Sequence, residues 1–546
     1  MGEAKGVYVR AASGLLREMG PGSAFLYNFV TLSLFSTSQQ LLYGPALYLY
    51  PGVEIGVSVI TGAIVMVFLY ASYAILASAM PRSGGDYVFQ SRILHPALGF
   101  ASTFPMWVFW QFLYLGWYGW QVATMGVAPF LAIAGVQTHQ PNLLGMASWV
   151  MSPDGNMAMG IIVLVIGVIL CYKGMRFYVK ALTGLFILLL SSGLILLILP
   201  LTISREHFAV NFNTFMANFA PDIPDFYHYV VQQAQQAGVA LSPQFSWRST
   251  AVSWSYAWFI FPYAIWSINN MGEIKRADSF KFVFLQCFPA LILTSVFWAA
   301  LWYVLKGTMG LDFLTAIGYV AWEYPAGLIE YFPITPFYTL LAGLSTSNLA
   351  LLFWALVVGT FANCIGVTTT IMMGTTRTLF AMTFDRLLPE KLAYIHPKSR
   401  SPLVALIVLF IGGLIFGYFI NYRYDIIGPY FASVTVAMVP TLFLGSLAAA
   451  IFPYRAKTIF DRAPVSRYKV GGLPLSVICG IGGMIICVVM AFFFFTEPKL
   501  GFLGVVPQAV VWGIFIASGI YYYLIRWYRS RQGIEMELAF REVPPE

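Results

Sequence analysis

The stretch TLSLFSTSQQLLYGPALYLY, residues 31–50, decides how this chain is read. Its flanks are apolar enough for the interior of a bilayer, yet Ser36, Thr37, Ser38, Gln39 and Gln40 stand in a row between them. Successive helix positions point around the whole circumference, so five consecutive polar side chains would turn some of them into lipid. Gly44 and Pro45 follow closely and weaken the helix further. Non-helical backbone at membrane depth is tolerated where protein or a water-filled cavity surrounds it. Residues 36–40 therefore predict a discontinuity lining a cavity rather than a continuous rod.

The rest of the chain supplies the membrane. Apolar types make up 59% of the 546 residues and charged types 10%, against about a quarter charged in a soluble domain. Runs such as GIIVLVIGVILCY (160–172) and GLFILLLSSGLILLILPL (184–201) carry no charge, and a hydrocarbon core needs about 20 such residues per helix. The expectation is an all-α polytopic membrane protein with twelve spans, near 24–50, 53–80, 97–134, 157–172, 177–202, 250–271, 282–305, 347–376, 402–421, 427–452, 472–495 and 502–525. The first 20 residues lack an apolar core, so no cleavable signal peptide is expected. Cys171, Cys287, Cys364, Cys479 and Cys487 lie in or beside apolar segments without metal-type spacing and read as core-packing residues.

The net charge of +8 is a topology signal and not a nucleic-acid footprint. With twelve spans, all of the 30 basic residues but Arg205, Arg248, Lys306, Arg423 and Lys499 fall on the side of the two termini. Positive residues stay in the cytoplasm, which puts both termini there. The layout expected is a cytoplasmic tail (1–23), a first repeat of five spans (24–202), an outer loop (203–249), a second repeat (250–452), spans eleven and twelve with their preceding loop (453–525), and a second tail (526–546). The outer loop contains PDFYHYVVQQAQQAG, a short helix stopped by Gly238. It and the loop 307–346 are long enough to act as lids or as passive caps.

The sixth span repeats the anomaly of the first. SWSYAWFIFPYAIWSINN (253–270) places Pro262 in mid-membrane, where proline removes a donor and clashes with the preceding turn. Interrupted segments in corresponding positions of two halves point to a transporter's binding site. Amide groups at a half-helix N-terminus can hold a carboxylate, and freed carbonyls an ammonium group.

Two loops carry a resemblance. AMPRSGGDYVFQSRILHPALGF (79–100) and RTLFAMTFDRLLPEKLAYIHPKSRSPLVAL (377–406) resemble the corresponding loops of amino acid–polyamine–organocation (APC) permeases. The end, YRSRQGIEMELAFREVPPE (528–546), is similar to the tails of a prokaryotic branch of amino acid permeases. The resemblance implies a LeuT-like fold: two inverted five-helix repeats plus two helices, with an amino acid substrate between unwound first and sixth spans. It implies a site at Ser36, Thr37, Ser38, Gln39, Gln40, Trp258, Phe259, Phe261 and Tyr263, a gate at Phe259 with Trp258 beside it, and a helix break at Pro262. The chain departs from the family pattern: Ser38 and Gln40 stand where the first-span motif has glycines, and Tyr263 and Ile265 where the sixth-span motif has glycine and glutamate.

No Asp, Glu, Lys or Arg falls near the middle of a span. A buried charge on the substrate would need a fixed partner, so a neutral zwitterionic amino acid is favoured. The alternatives are another small amine or nucleobase-like solute, or a transport-inactive amino acid sensor. No cofactor is expected; the coupling ion is Na+, H+ or none. Leu189 stands where some proton-linked relatives carry a lysine, and Thr368 and Thr369 offer hydroxyls for sodium. His95, His139, His207, His228 and His396 are scattered, so neither a metal site nor an enzyme centre is expected. Partners are the lipid bilayer and the small-molecule substrate; oligomeric state is not legible.

Overall fold

The structure, a computed structural model, describes residues 17–501 and 503–540. Lys5, Arg10 and Arg541, which enter the charge asymmetry, lie outside these residues. Among the described residues, ten helices are long and apolar enough to cross a membrane: Ile55–Ala79, Pro96–Gln137, Pro153–Tyr172, Met175–Thr202, Phe280–Met309, Leu349–Phe384, Leu403–Tyr422, Ser433–Arg455, Leu475–Thr496 and Val505–Arg531. They coincide with ten of the twelve expected spans. The two positions without such a helix are the first and the sixth, the two read as broken.

The first segment runs as a helix over Pro21–Leu32, leaves helical geometry at Ser33 (φ 66°), and resumes at Thr37–Leu42 and Pro45–Leu49. The break is residues 33–36, not 36–40. Ser36 is the reason: serine is a preferred N-cap, and its hydroxyl accepts the Ser38 N–H at 3.1 Å. The polar run therefore starts the second half-helix instead of interrupting one. In the sixth segment α-helix ends at Trp258, and a 3₁₀ helix occupies Phe261–Asn269. Pro262 lies in the first turn of that helix, where its missing N–H leaves nothing unpaired. It marks the start of the second half rather than a kink within one helix. Nine residues of 3₁₀ helix are unusual, since such runs rarely exceed four and mark strain or hinges.

The spans pack in related pairs. The third span packs on the ninth and the eighth on the fourth; the fifth packs on the eighth and the tenth on the third; the first packs on the seventh and the sixth on the second. Each pair maps onto the other by a shift of five spans, as two five-span repeats require. The described part is all-α apart from one antiparallel pair, Lys469–Val470 with Leu473–Pro474. The five cysteines are buried and free. The expected short helix forms at Phe226–Gln236, and Gly238 follows it with φ +81°. Helix Leu311–Glu323 in the loop after the seventh span packs on Pro45–Leu49, and the Tyr48 hydroxyl donates to Glu323 at 2.7 Å.

The loop PRSGGDY is folded into the bundle. Gly84 and Gly85 have φ of +105° and +45°, and a Cβ on Gly85 would stand 2.5 Å from Asn269 Oδ1 at the end of the sixth segment. The helix Gly85–Ile93 that follows is largely buried. The eighth helix also runs past the expected end at 376 to Phe384, so Arg377 belongs to it. Gly85→Ala is expected to destabilise the protein more than Gly238→Ala, which meets no atom within 4 Å. Both lose the left-handed residue, worth roughly 1–2 kcal/mol; only Gly85→Ala also displaces Asn269. Thermal unfolding in detergent checks this, and equal losses would contradict the close approach.

Candidate functional site

Asn363, on the eighth span, holds the break in the first segment. Its Oδ1 accepts from the Ser33 hydroxyl at 2.9 Å and the Phe35 N–H at 3.3 Å, while its Nδ2 donates to the Phe35 carbonyl at 3.3 Å. Gln121 of the third span donates to the same carbonyl. The Thr37 hydroxyl lies 3.4 Å from Gln121 Oε1 and accepts from Trp117 Nε1 at 2.9 Å. An unpaired buried peptide group costs about 1–3 kcal/mol, so the unwound backbone persists because two amide side chains replace the helix bonds it gave up. The sequence pattern alone does not single out Asn363 or Gln121; a single amide inside an apolar span is the available signal.

The structure separates the residues expected in one pocket. Thr37 and Phe259 line a cavity of about 300 Å³ with Leu41, Pro45, Trp117, Ser255, Tyr256, Phe431 and Thr435. The cavity lies between the second half of the first segment and the α-helical half of the sixth, and continues to Lys499 at the end opposite the basic loops. Trp258 and Phe261 face elsewhere, into an apolar cavity of about 160 Å³ against the second and eleventh spans. Tyr263 is buried beneath both, accepting from Gln111 Nε2 at 3.0 Å. Gln39 turns away: its Nε2 donates to Tyr43 at 3.3 Å and its Oε1 accepts from Tyr338 at 2.7 Å. Ser36 caps the half-helix. The side-chain polar atoms of Ser38, Gln40, Ser255 and Trp258 Nε1 are buried without a partner among the described residues. Residues 37–42 pack directly on 254–258, so several of these atoms lie near the junction.

The threonines proposed for sodium do not face the break. The Thr369 hydroxyl donates back to Gly366 at 2.8 Å. Thr368 lies against Gly167 of the fourth span, where a Cβ would meet its methyl at 2.8 Å. Among the described residues no group of three or more His, Cys, Asp or Glu could hold a metal.

The basic-loop end is closed by ion pairs. Arg377 donates to Glu273 through two nitrogens at 2.7 and 2.9 Å, and both side chains are under 5% exposed. Arg92 does the same to Asp385 at 2.6 and 2.9 Å, and Tyr87 adds a bond to Asp385 at 2.6 Å. The backbone of Met19 bridges Glu273 and Lys275. The sequence placed these charges in solvated loops or at span edges; the folding-in of residues 84–93 and the extension of the eighth helix bury them instead. At the opposite end Arg248 pairs with Glu497, and Lys306 with Glu54 at 2.6 Å.

Two broken segments meeting within a bundle of apolar helices are the construction of a membrane carrier. The amino acid permease family matches residues 24–525, and the chain belongs to it. A comparison with curated proteins finds no match. The chain is thus a multi-pass membrane protein of a transporter family, an amino acid permease.

Two outcomes are expected. Asn363→Leu strands the Phe35 N–H, while Gln121 still bonds the carbonyl, and lowers stability by about 1–3 kcal/mol, read by thermal unfolding, with transport reduced further than stability accounts for. Glu273→Gln leaves Arg377 buried without its countercharge, a loss of about 3–5 kcal/mol. Glu273→Gln with Arg377→Met should recover most of it, and no recovery would show that the pair is not coupled.

Proposed function

We propose that this permease carries a neutral, zwitterionic amino acid across the cytoplasmic membrane of a prokaryote by alternating access, with the basic-loop end in the cytoplasm. The prokaryotic setting rests on the resemblance of residues 528–546, and the orientation on the charge asymmetry. The observation that carries the substrate class is the cavity at the junction of the two broken segments. Among the described residues no Asp, Glu or Arg lines it. The one cation lining it among the described residues, Lys499, is at the rim and donates to the Leu49 carbonyl at 2.9 Å. A second charge on the substrate would find no partner there, and an unpaired charge is strongly disfavoured.

In this reading the substrate carboxylate approaches the N-terminus of residues 37–42, with Thr37 beside it, and the ammonium group meets carbonyls at the ends of the two breaks. Phe259, whose ring packs edge-on to Tyr114 at 5.3 Å, closes against the apolar side chain. The cavity size matches a small ligand. With the Glu273–Arg377 and Arg92–Asp385 pairs made, the cytoplasmic end is shut and the cavity serves the outside. Transport then requires these pairs to part as the outer loops close. No sodium is assigned to Thr368 and Thr369, given where they point.

A thermal-shift screen of the purified protein against the twenty amino acids and common amines tests the substrate class. Neutral amino acids should stabilise it, by about 2.7 kcal/mol at a hundredfold excess over Kd; a response confined to polyamines or nucleobases would overturn it. Thr37→Val and Phe259→Ala should weaken that response tenfold or so, about 1.4 kcal/mol. Gln39→Ala should lower stability without changing affinity, since its amide bonds Tyr43 and Tyr338. An affinity change there would move the site.

A further inference from the structure

Asp86 is a buried carboxyl without a countercharge among the described residues. It is 5% exposed, its Oδ2 accepts from Trp107 Nε1 at 2.6 Å, and its Oδ1 faces the Gln90 amide at 3.5 Å. The Tyr73 hydroxyl of the second span faces it as well. The nearest other ionisable groups are engaged elsewhere. Tyr87 and Arg92, on its own helix, bind Asp385, Arg377 binds Glu273, and the Tyr263 hydroxyl is bonded by Gln111. His95, beyond its helix, caps the third span by accepting the Ala97 N–H. Burial pushes the Asp86 carboxyl up to about 7, and the Tyr73, Trp107 and Gln90 donors offset that only in part.

The carboxyl is tied to the sixth segment twice. Through the chain, Gly84 N–H donates to the Asn269 carbonyl at 3.0 Å, and Ser83 forms a bridge with Asn270. Through space, the Trp107 ring packs edge-on against Tyr263 at 5.9 Å and Trp266 at 5.0 Å, both in the 3₁₀ half. Trp107 itself stands in a π-helical turn of the third span, a local distortion frequent at functional sites.

We propose that Asp86 is a proton-binding site whose occupancy sets how firmly Trp107 is held, and through Trp107 the conformation of residues 261–269. The ionised carboxylate accepts the indole N–H. A proton taken from solvent removes its charge, so the Trp107 N–H bond to it changes from charge-assisted to neutral, about half as strong, and the ring is held more loosely. No bond to another group breaks, and no co-reactant is needed. Because Asp86 lies under the closed basic-loop end, it exchanges its proton when that end opens, which gives the transporter a proton-sensitive step at its cytoplasmic gate. That last assignment rests on the proposed alternating access; the proton site does not.

The test uses the purified full chain and two readouts that need no substrate. Infrared difference spectra on pH titration should show a protonated-carboxyl band that appears as pH falls through about 7 and is missing in Asp86→Asn. Amide hydrogen exchange of residues 261–269, corrected for the intrinsic effect of pH, should change several-fold across the same midpoint in the wild type and stay flat in Asp86→Asn. Trp107→Phe, which keeps the carboxyl, should retain the band and lose the exchange response. It also serves if Asp86→Asn does not fold. A wild type without the band, or exchange that follows pH equally in Trp107→Phe, overturns the proposal. Absence of any amino acid response in the thermal-shift screen would instead count against the substrate assignment and leave these two readouts intact.

Discussion

The structure depends on how the peptide groups of residues 33–36 are satisfied without water or helix. Asn363 bonds both the N–H and the carbonyl of Phe35, and Gln121 adds a second donor to that carbonyl. Inside a bilayer an open peptide group has no solvent to fall back on, which is why irregular backbone there must be bonded by protein or line a cavity. Two amide side chains from the third and eighth spans meet that requirement. They free the first segment to end one helix, begin another, and place the N-terminus of residues 37–42 against the cavity. The eighth span thereby joins the site through a residue that touches backbone.

The same logic governs the basic-loop end, where charge replaces hydrogen bonding. Buried ion pairs are poor sources of net stability, because desolvation offsets much of their attraction. Their use here is conditional: Glu273 with Arg377 and Arg92 with Asp385 tie together loops and helices that are not covalently adjacent. Glu273 follows the sixth segment, Arg377 belongs to the eighth span, and Arg92 to the helix behind the PRSGGDY turn. A closure built from solvable charges can part when water enters. An apolar plug of the same area would offer no such route.

The sequence made the bundle legible because membrane helices are constrained by length and hydropathy alone. Ten spans coincide with helices, and the two exceptions were marked in advance by Ser36–Gln40 and by Pro262. Local chemistry then decided details that pattern could not. Ser36 caps, so the first break lies before the polar run. Pro262 opens the 3₁₀ half, so the sixth break lies at Phe259 and Ile260. The site was legible less fully. Side-chain direction depends on tertiary partners: Gln39 is captured by Tyr43 and Tyr338, Trp258 and Phe261 by a second cavity, and Thr369 by its own helix. Thr37 and Phe259 line the cavity because they flank the breaks. Asn363 and Gln121 were missed because an isolated amide in a span reads as ordinary interhelical glue. The burial of Arg377 and Asp385 could not be read from loops whose folding-in rests on two left-handed glycines.

Substrate is proposed to sit at the junction of the broken segments, opened by the bonds from Asn363 and Gln121. An experimental structure of the full chain with a stabilising neutral amino acid tests it most directly. Ligand density is expected between Thr37 and Phe259, with its carboxylate at the N-terminus of residues 37–42 and Phe35 still bonded to Asn363. Density in the apolar cavity beside Trp258, or a first segment running as one unbroken helix through residues 33–36, would contradict it.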